Sequence, residues 1–169
     1  ASKLAAEALI GQACRGHGQE VIVVRPFNHI GPGQTPNFAV PALAKRIVDA
    51  DRQGDSSIAV GNLAARRDFT DVRDVVKAYR LLIESGTPGE VYNVCSGHDV
   101  AIEEIATTLL RLAGTSLAFK TDPALTRPVE VPVLRGDPTR LQRATGWKPE
   151  IPLDQTLADV LEYWRQYEG

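Results

Sequence analysis

Methionine is absent from this sequence, cysteine occurs twice, and aromatic side chains make up only 6% of it. Cys14 and Cys95 share no ligand spacing with each other or with His17, His29 and His98, and two thiols do not make a secreted disulfide framework. Both are read as buried free thiols. No metal is expected, and the expected location is cytoplasmic. No stretch approaches the roughly 20 apolar residues of a membrane helix, so no span is expected either. Neither sign of charge dominates: 19 lysines and arginines stand against 21 aspartates and glutamates, a net −2. That balance excludes a general attraction to nucleic acid or an acidic membrane, and it leaves anion binding to individual arginines. A Gly-x-Gly-x-x-Gly phosphate loop is missing as well. Ser2, Thr70 and Ser96 have no partner visible in the sequence for nucleophilic catalysis.

What is present alternates helix with strand. At 169 residues and 43% apolar content the chain suffices for one core. Leu4, Ala5, Ala8, Leu9 and Ala13 follow helical spacing up to Gly16-His17-Gly18. Residues 20–25 are apolar on both parities, which predicts a parallel strand covered on both faces. The proline- and glycine-rich stretch 26–36 after it is read as irregular, at the carboxyl end of a strand, where open α/β sheets bind ligands. Helices are expected over 37–51, from Asp71 on, over 100–112, after Asp137-Pro138 and over 153–167; strands over 57–60, 67–70, 91–94 and 117–120. The helix after Asp71 is expected to turn Val72, Val75, Val76, Tyr79, Leu82 and Ile83 inward. Trp147 and Trp164 are read as packing residues.

Three stretches hold residues that folding alone does not demand. In residues 25–34, Asn28 offers an uncharged amide beside glycine-exposed backbone N–H groups, a donor set suited to phosphate; satisfying local backbone is the alternative. In residues 61–74, Arg66, Arg67 and Arg73 alternate with Asp68, Asp71 and Asp74. Such a run is most often a solvated face of weak ion pairs, but a guanidinium there can grip a diphosphate, and Arg67 is favoured. In residues 127–132, two prolines stiffen a loop carrying Arg127 and Glu130, either a plain salt bridge or a nucleotide contact.

Ser2-Lys3-x-x-x-Glu7, Arg25-Pro26-Phe27-Asn28-His29-Ile30-Gly31-Pro32-Gly33-Gln34, Arg67-Asp68-Phe69-Thr70-Asp71, Tyr92-Asn93-Val94-Cys95-Ser96-Gly97, Arg127-Pro128-x-Glu130 and Gly146-Trp147-Lys148-Pro149 follow one another in the order of the extended short-chain dehydrogenase/reductase family. The chain resembles that family over essentially its whole length. Its nearest likeness is to the reductases and dehydratases of GDP-mannose derivatives, with epimerases of UDP- and dTDP-sugars sharing much of the pattern. Dehydratases usually carry tryptophan where Phe69 stands, which favours a reductase. The resemblance implies an α/β fold: the last part of a Rossmann-like parallel sheet plus the small substrate-binding subdomain. It implies that Lys3 is the lysine of the catalytic Tyr-x-x-x-Lys pair and holds the nicotinamide ribose. Pro26 and Phe27 would lie beside the nicotinamide of NAD or NADP. Asn28, Asn37, Arg67, Arg127 and Glu130 would contact the sugar nucleotide, a GDP-sugar first.

The tyrosine would stand two positions before Ala1. With no methionine and a first helix lacking a cap, residues 1–169 are expected to be one sugar-nucleotide-binding domain without an amino-terminal dinucleotide-binding half. Alone it is expected neither to hold NAD(P) tightly nor to turn over; a non-catalytic binding module is the alternative. The expected partner, besides the nucleotide sugar, is a second copy or that missing half.

Overall fold

The protein is described by a computed structural model covering residues 2–125 and 131–167. Helix α1 (Ser2–His17) leads into strand β1 (Val23–Pro26), which pairs in parallel with β5 (Val91–Val94), Arg25 opposite Asn93. One residue beyond β1, strand β2 (Asn28–Ile30) shifts to a second sheet and pairs in parallel with β4 (Arg66–Asp71), Asn28 opposite Phe69. Strand β4 also takes β6 (Asp99–Ala101) antiparallel and β8 (Val133–Leu134) parallel. A third, parallel pair joins β3 (Ser57–Val60) to β7 (Ala118–Thr121). Helices α2 (Ala39–Gln53), α3 (Val72–Ser85), α4 (Ile102–Ala113), α5 (Thr139–Thr145) and α6 (Leu153–Gln166) cover these sheets. This is the parallel α/β architecture implied by the resemblance.

Two apolar clusters form. The larger gathers Val40, Leu43, Ile47, Ile105, Leu109, Leu157, Leu161 and Trp164 from α2, α4 and α6 onto Ile30, Ile58 and Val60. In α6 the buried positions 156, 157, 160, 161 and 164 repeat at helical spacing, so one stripe faces inward. Helix α2 can end sharply because Gly54 adopts φ 71°, a left-handed turn open to a residue without Cβ. The smaller cluster packs Val75, Ala78 and Leu82 of α3 against Tyr92, Val94, Leu141 and Trp147.

Several sequence expectations change here. Residues 26–36 are not wholly irregular, because β2 sits among them; the ladder to β4 offsets the lack of regular patterning. Val23 and Val24 are only half-buried, since α1 buries none of its residues and β1 pairs with β5 alone among the described residues. In α3 the inward stripe is Asp74, Val75, Ala78 and Leu82, leaving Val76 and Ile83 exposed at 59% and 85%. The stripe turned because Asp74 is drawn inside.

The run of alternating charge is likewise not a solvated face: Asp68, Asp71 and Asp74 are all buried. Each carboxylate accepts from distant chain segments, which is how charge survives burial. Asp74 takes the N–H groups of Glu150 and Ile151, both at 3.0 Å. Asp71 caps α3 through the Arg73 N–H at 2.8 Å and takes the Thr156 hydroxyl of α6 at 2.7 Å. Burial works against the Asp71 anion, but the Arg73 guanidinium, the Thr156 hydroxyl and the Arg73 N–H outweigh it and hold the carboxyl below its usual range. A carboxyl lowered on folding contributes stability that is present above its unfolded pKa and lost as pH falls through the folded one. Thr156→Val should therefore lower stability at neutral pH by about 1–2 kcal/mol and move acid unfolding to higher pH. Circular dichroism followed down an acid titration of both proteins checks this; an unmoved midpoint contradicts it.

Among the described residues no helix is long and apolar enough to cross a membrane.

Candidate functional site

Strand β4 carries the residues on which the site turns. Side chains alternate along a strand, so Arg67, Phe69 and Asp71 share one face and Arg66, Asp68 and Thr70 the other. Paired residues of neighbouring strands share a face. Asn28, opposite Phe69, therefore stands on the Arg67 side, as does Ile30, which enters the larger cluster. Helix α2 packs into that same cluster through Val40 and Leu43. Phe38 at its N-cap gives no side-chain bond and its first turn holds no acid, which leaves the positive end of the helix dipole uncompensated. Asn37 lies exposed one residue earlier.

Arg66 bonds Asp99 at 2.5 Å and Glu104 at 3.1 Å, and those two carboxylates hold it. The Arg66 bond comes first in keeping the Asp99 carboxyl below its usual range. Arg67 donates from Nη1 to the Arg66 carbonyl at 2.8 Å and to that of Pro132 at 3.4 Å. Arg73 is committed to Asp71 and to Asp159, the latter at 2.7 Å. Pro132 O also accepts the Arg66 N–H at 2.8 Å, and β8 then pairs Leu134 with Arg67. The chain thus returns beside Arg67 from the proline-stiffened loop. Arg127 and Glu130 themselves lie outside the described residues.

On the other face, Asp68 is fully buried and ties three segments together. Its Oδ1 accepts from the N–H and hydroxyl of Ser96 at 2.8 and 2.7 Å, its Oδ2 from Gly97 N–H at 3.0 Å and Gly136 N–H at 3.2 Å. Gly136 is pressed against Cys95 and Phe27: a Cβ on it would stand 2.8 Å from Phe27 Cζ and closer still to Cys95 Sγ. One carboxylate thus links the strand of Arg67 to the seat of Phe27. Nothing in the sequence set Asp68 apart from its neighbouring aspartates; only the fold brings residues 96, 97 and 136 to it.

Phe27 follows β1 and Pro26 ends it, at the carboxyl edge of the β1–β5 pair; Phe27 N–H bonds Val94 O at 2.9 Å. Lys3 is exposed on α1, one turn before Glu7, whose carboxylate grips Arg25 of β1. The structure accordingly brings Asn28 and Arg67 to one sheet face.

Strand β1 ends in Arg25-Pro26 and leads through Phe27 to Asn28 of β2, which pairs with the strand of Arg67; this is the α/β arrangement of the extended short-chain dehydrogenase/reductases. Within them, the chain belongs to the GDP-mannose 4,6 dehydratase family, whose model matches residues 1–160. It is 44% identical over 165 residues to the GDP-6-deoxy-D-mannose reductase of Pseudomonas aeruginosa, covering 96% of this chain and 54% of that protein. To the GDP-6-deoxy-D-talose 4-dehydrogenase of Aggregatibacter actinomycetemcomitans it is 32% identical over 126 residues, 75% of this chain and 42% of that one. The solved structure of RMD from P. aeruginosa complexed with NADPH superposes with a TM-score of 0.90 at 43% identity, over 97% of this chain and 55% of that one. The chain spans about half the length of these relatives.

Proposed function

We propose that these residues form the sugar-nucleotide-binding domain of an NAD(P)-dependent reductase that acts on a GDP-linked 4-keto-6-deoxymannose. The observation that carries this reading is the face that Asn28 and Arg67 share on the paired strands β2 and β4. An amide and a guanidinium on one face together suit a diphosphate. Phe69 and the names of the relatives favour GDP-sugar reduction over dehydration. Arg127 and Glu130 are proposed to meet the phosphate and the nucleotide end, and Asn37 the sugar nucleotide at the mouth of α2.

The residues also fit the nicotinamide end of a cofactor. Lys3 is exposed with no acidic partner among the described residues, and Pro26 and Phe27 line the carboxyl edge of the parallel pair. Lys3 would hold the nicotinamide ribose, and its charge would lower the pKa of a tyrosine one turn ahead. When bound, NAD(P)H supplies the hydride for the sugar ketone. The proposed location is cytoplasmic. The proposed macromolecular partner is a second copy or an amino-terminal half, seated on α1, which exposes Leu4 and Leu9 at 70% and 71%.

Calorimetric titration of the purified chain tests the reading. GDP-sugars are expected to bind at least about tenfold more tightly than UDP- or dTDP-sugars, a difference of about 1.4 kcal/mol. Equal affinity for all three, or no binding, removes it. NADPH oxidation with substrate is expected to be absent; measurable turnover by the 169-residue chain would overturn that part.

A further inference from the structure

Segment 132–136 meets strand β4 at both of its ends. At the first, Pro132 O accepts the Arg66 N–H at 2.8 Å and Arg67 Nη1 at 3.4 Å, while the same Nη1 donates to the Arg66 carbonyl at 2.8 Å. Nη1 thus serves two main-chain oxygens, and because a guanidinium is planar, those two bonds set the attitude of the whole fork. Leu134 then pairs opposite Arg67, and Arg135 lies 3.5 Å from Asp99. At the other end, Gly136 N–H reaches Asp68 Oδ2 at 3.2 Å. Gly136 fits there only because it has no side chain. Its φ is not positive, so the backbone demands no glycine, but the space does. A Cβ would stand 2.9 Å from Cys95 Cβ and 2.8 Å from Phe27 Cζ, and closer still to Cys95 Sγ. Asp68 and Cys95, which form two sides of this seat, are fully buried.

We propose that Asp68 and Gly136 are positioning residues for Arg67: by seating the end of segment 132–136, they hold the Pro132 carbonyl where it orients the Arg67 guanidinium. The inference rests on the reading of Arg67 as a diphosphate ligand. Asp68 adjoins Arg67 in sequence, but its side chain leaves the opposite face of β4, so the segment carries its influence from one face to the other. Proline suits the near end, since a residue with a fixed φ and no N–H offers its carbonyl in one direction. A bound diphosphate and a seated segment ask for the same attitude of the guanidinium. Each therefore favours the other, and by the same factor.

GDP is the probe, and amide exchange and calorimetry read its effect. In the unaltered chain, saturating GDP should slow exchange of the Gly136 amide about tenfold, the weight of one charge-assisted hydrogen bond. The Gly97 amide, which shares the Asp68 carboxylate but not the segment, should stay as it was. Gly136→Ala should weaken GDP binding by the same factor of about ten, because its methyl meets Cys95 and unseats the segment. The double variant Cys95→Gly/Gly136→Ala clears that contact and should bring affinity back to within about twofold. Ser96→Ala lowers stability at the same carboxylate without touching the segment, and should leave affinity unchanged. GDP that binds but slows both amides alike, or neither, overturns the proposal. So does an unaltered affinity in Gly136→Ala, or no recovery in the double variant. Should Gly136→Ala fail to fold, the exchange measurement decides by itself. In each of these failures the reductase reading stands, whereas a chain that binds no GDP loses both.

Discussion

Asp68→Ala is expected to destabilise the chain by about 3–5 kcal/mol, the range seen when a buried, fully bonded charge partner is removed. Domains of this kind are stable by about 5–15 kcal/mol, so much of the margin goes. The reason is the convergence on one fully buried carboxylate: three backbone N–H groups and a hydroxyl on half-buried residues lose their acceptor together. Asparagine should be nearly as disruptive, because one of its two ends must turn an N–H₂ group toward donors. Ser96→Ala removes a single member and should lower stability by about 1 kcal/mol. Urea denaturation monitored by tryptophan fluorescence measures all three, and an Asp68→Ala chain as stable as Ser96→Ala would contradict the account.

Arg67→Ala is expected to weaken GDP-sugar binding by roughly 100-fold, since charge-assisted bonds to a diphosphate are about twice as strong as neutral ones. Arg67→Lys should recover no more than about tenfold, because an ammonium reproduces the charge but not the fork. The informative control is its neighbour. Arg66→Ala should leave affinity within about twofold while lowering stability, as Arg66 is held by Asp99 and Glu104. The same titration calorimetry decides between them, and equal losses for Arg66 and Arg67 would sink the assignment.

Much of this architecture can be read from the residues in order. Asp71 as a helix cap, the strands at Ser57–Val60 and Val91–Val94, and the α6 stripe each follow from local chemistry, and each is found. Alternating charge at 66–74 misleads because local spacing cannot tell a solvated carboxylate from one whose donors arrive from 25 or more residues away. The three aspartates differ only in what the fold brings to them: the 96–97 turn and Gly136 to Asp68, Thr156 to Asp71, the 150–151 backbone to Asp74. The inward face of α3 is misjudged for the same reason, since turning Asp74 inside turns Val76 and Ile83 out. Strand β2 escapes notice because its three residues have no pattern of their own and exist as a strand only by pairing with β4. Asn28 and Arg67, in contrast, stand out by type and position, and the register of β2 against β4 explains why two residues so far apart in sequence share a face.

Cys95 lies fully buried where Gly136 presses on it, and its thiol is pushed up to about 12, first by burial and then by the charge of Asp68. At pH 7 that leaves far less thiolate than the few per cent of an unshielded cysteine. A disulfide reagent therefore reacts with Cys95 almost wholly through moments when the covering segment lifts. In a chain with Cys14→Ser the modification rate becomes a clock for that lifting, set by the strength with which Asp68 holds Gly136 down.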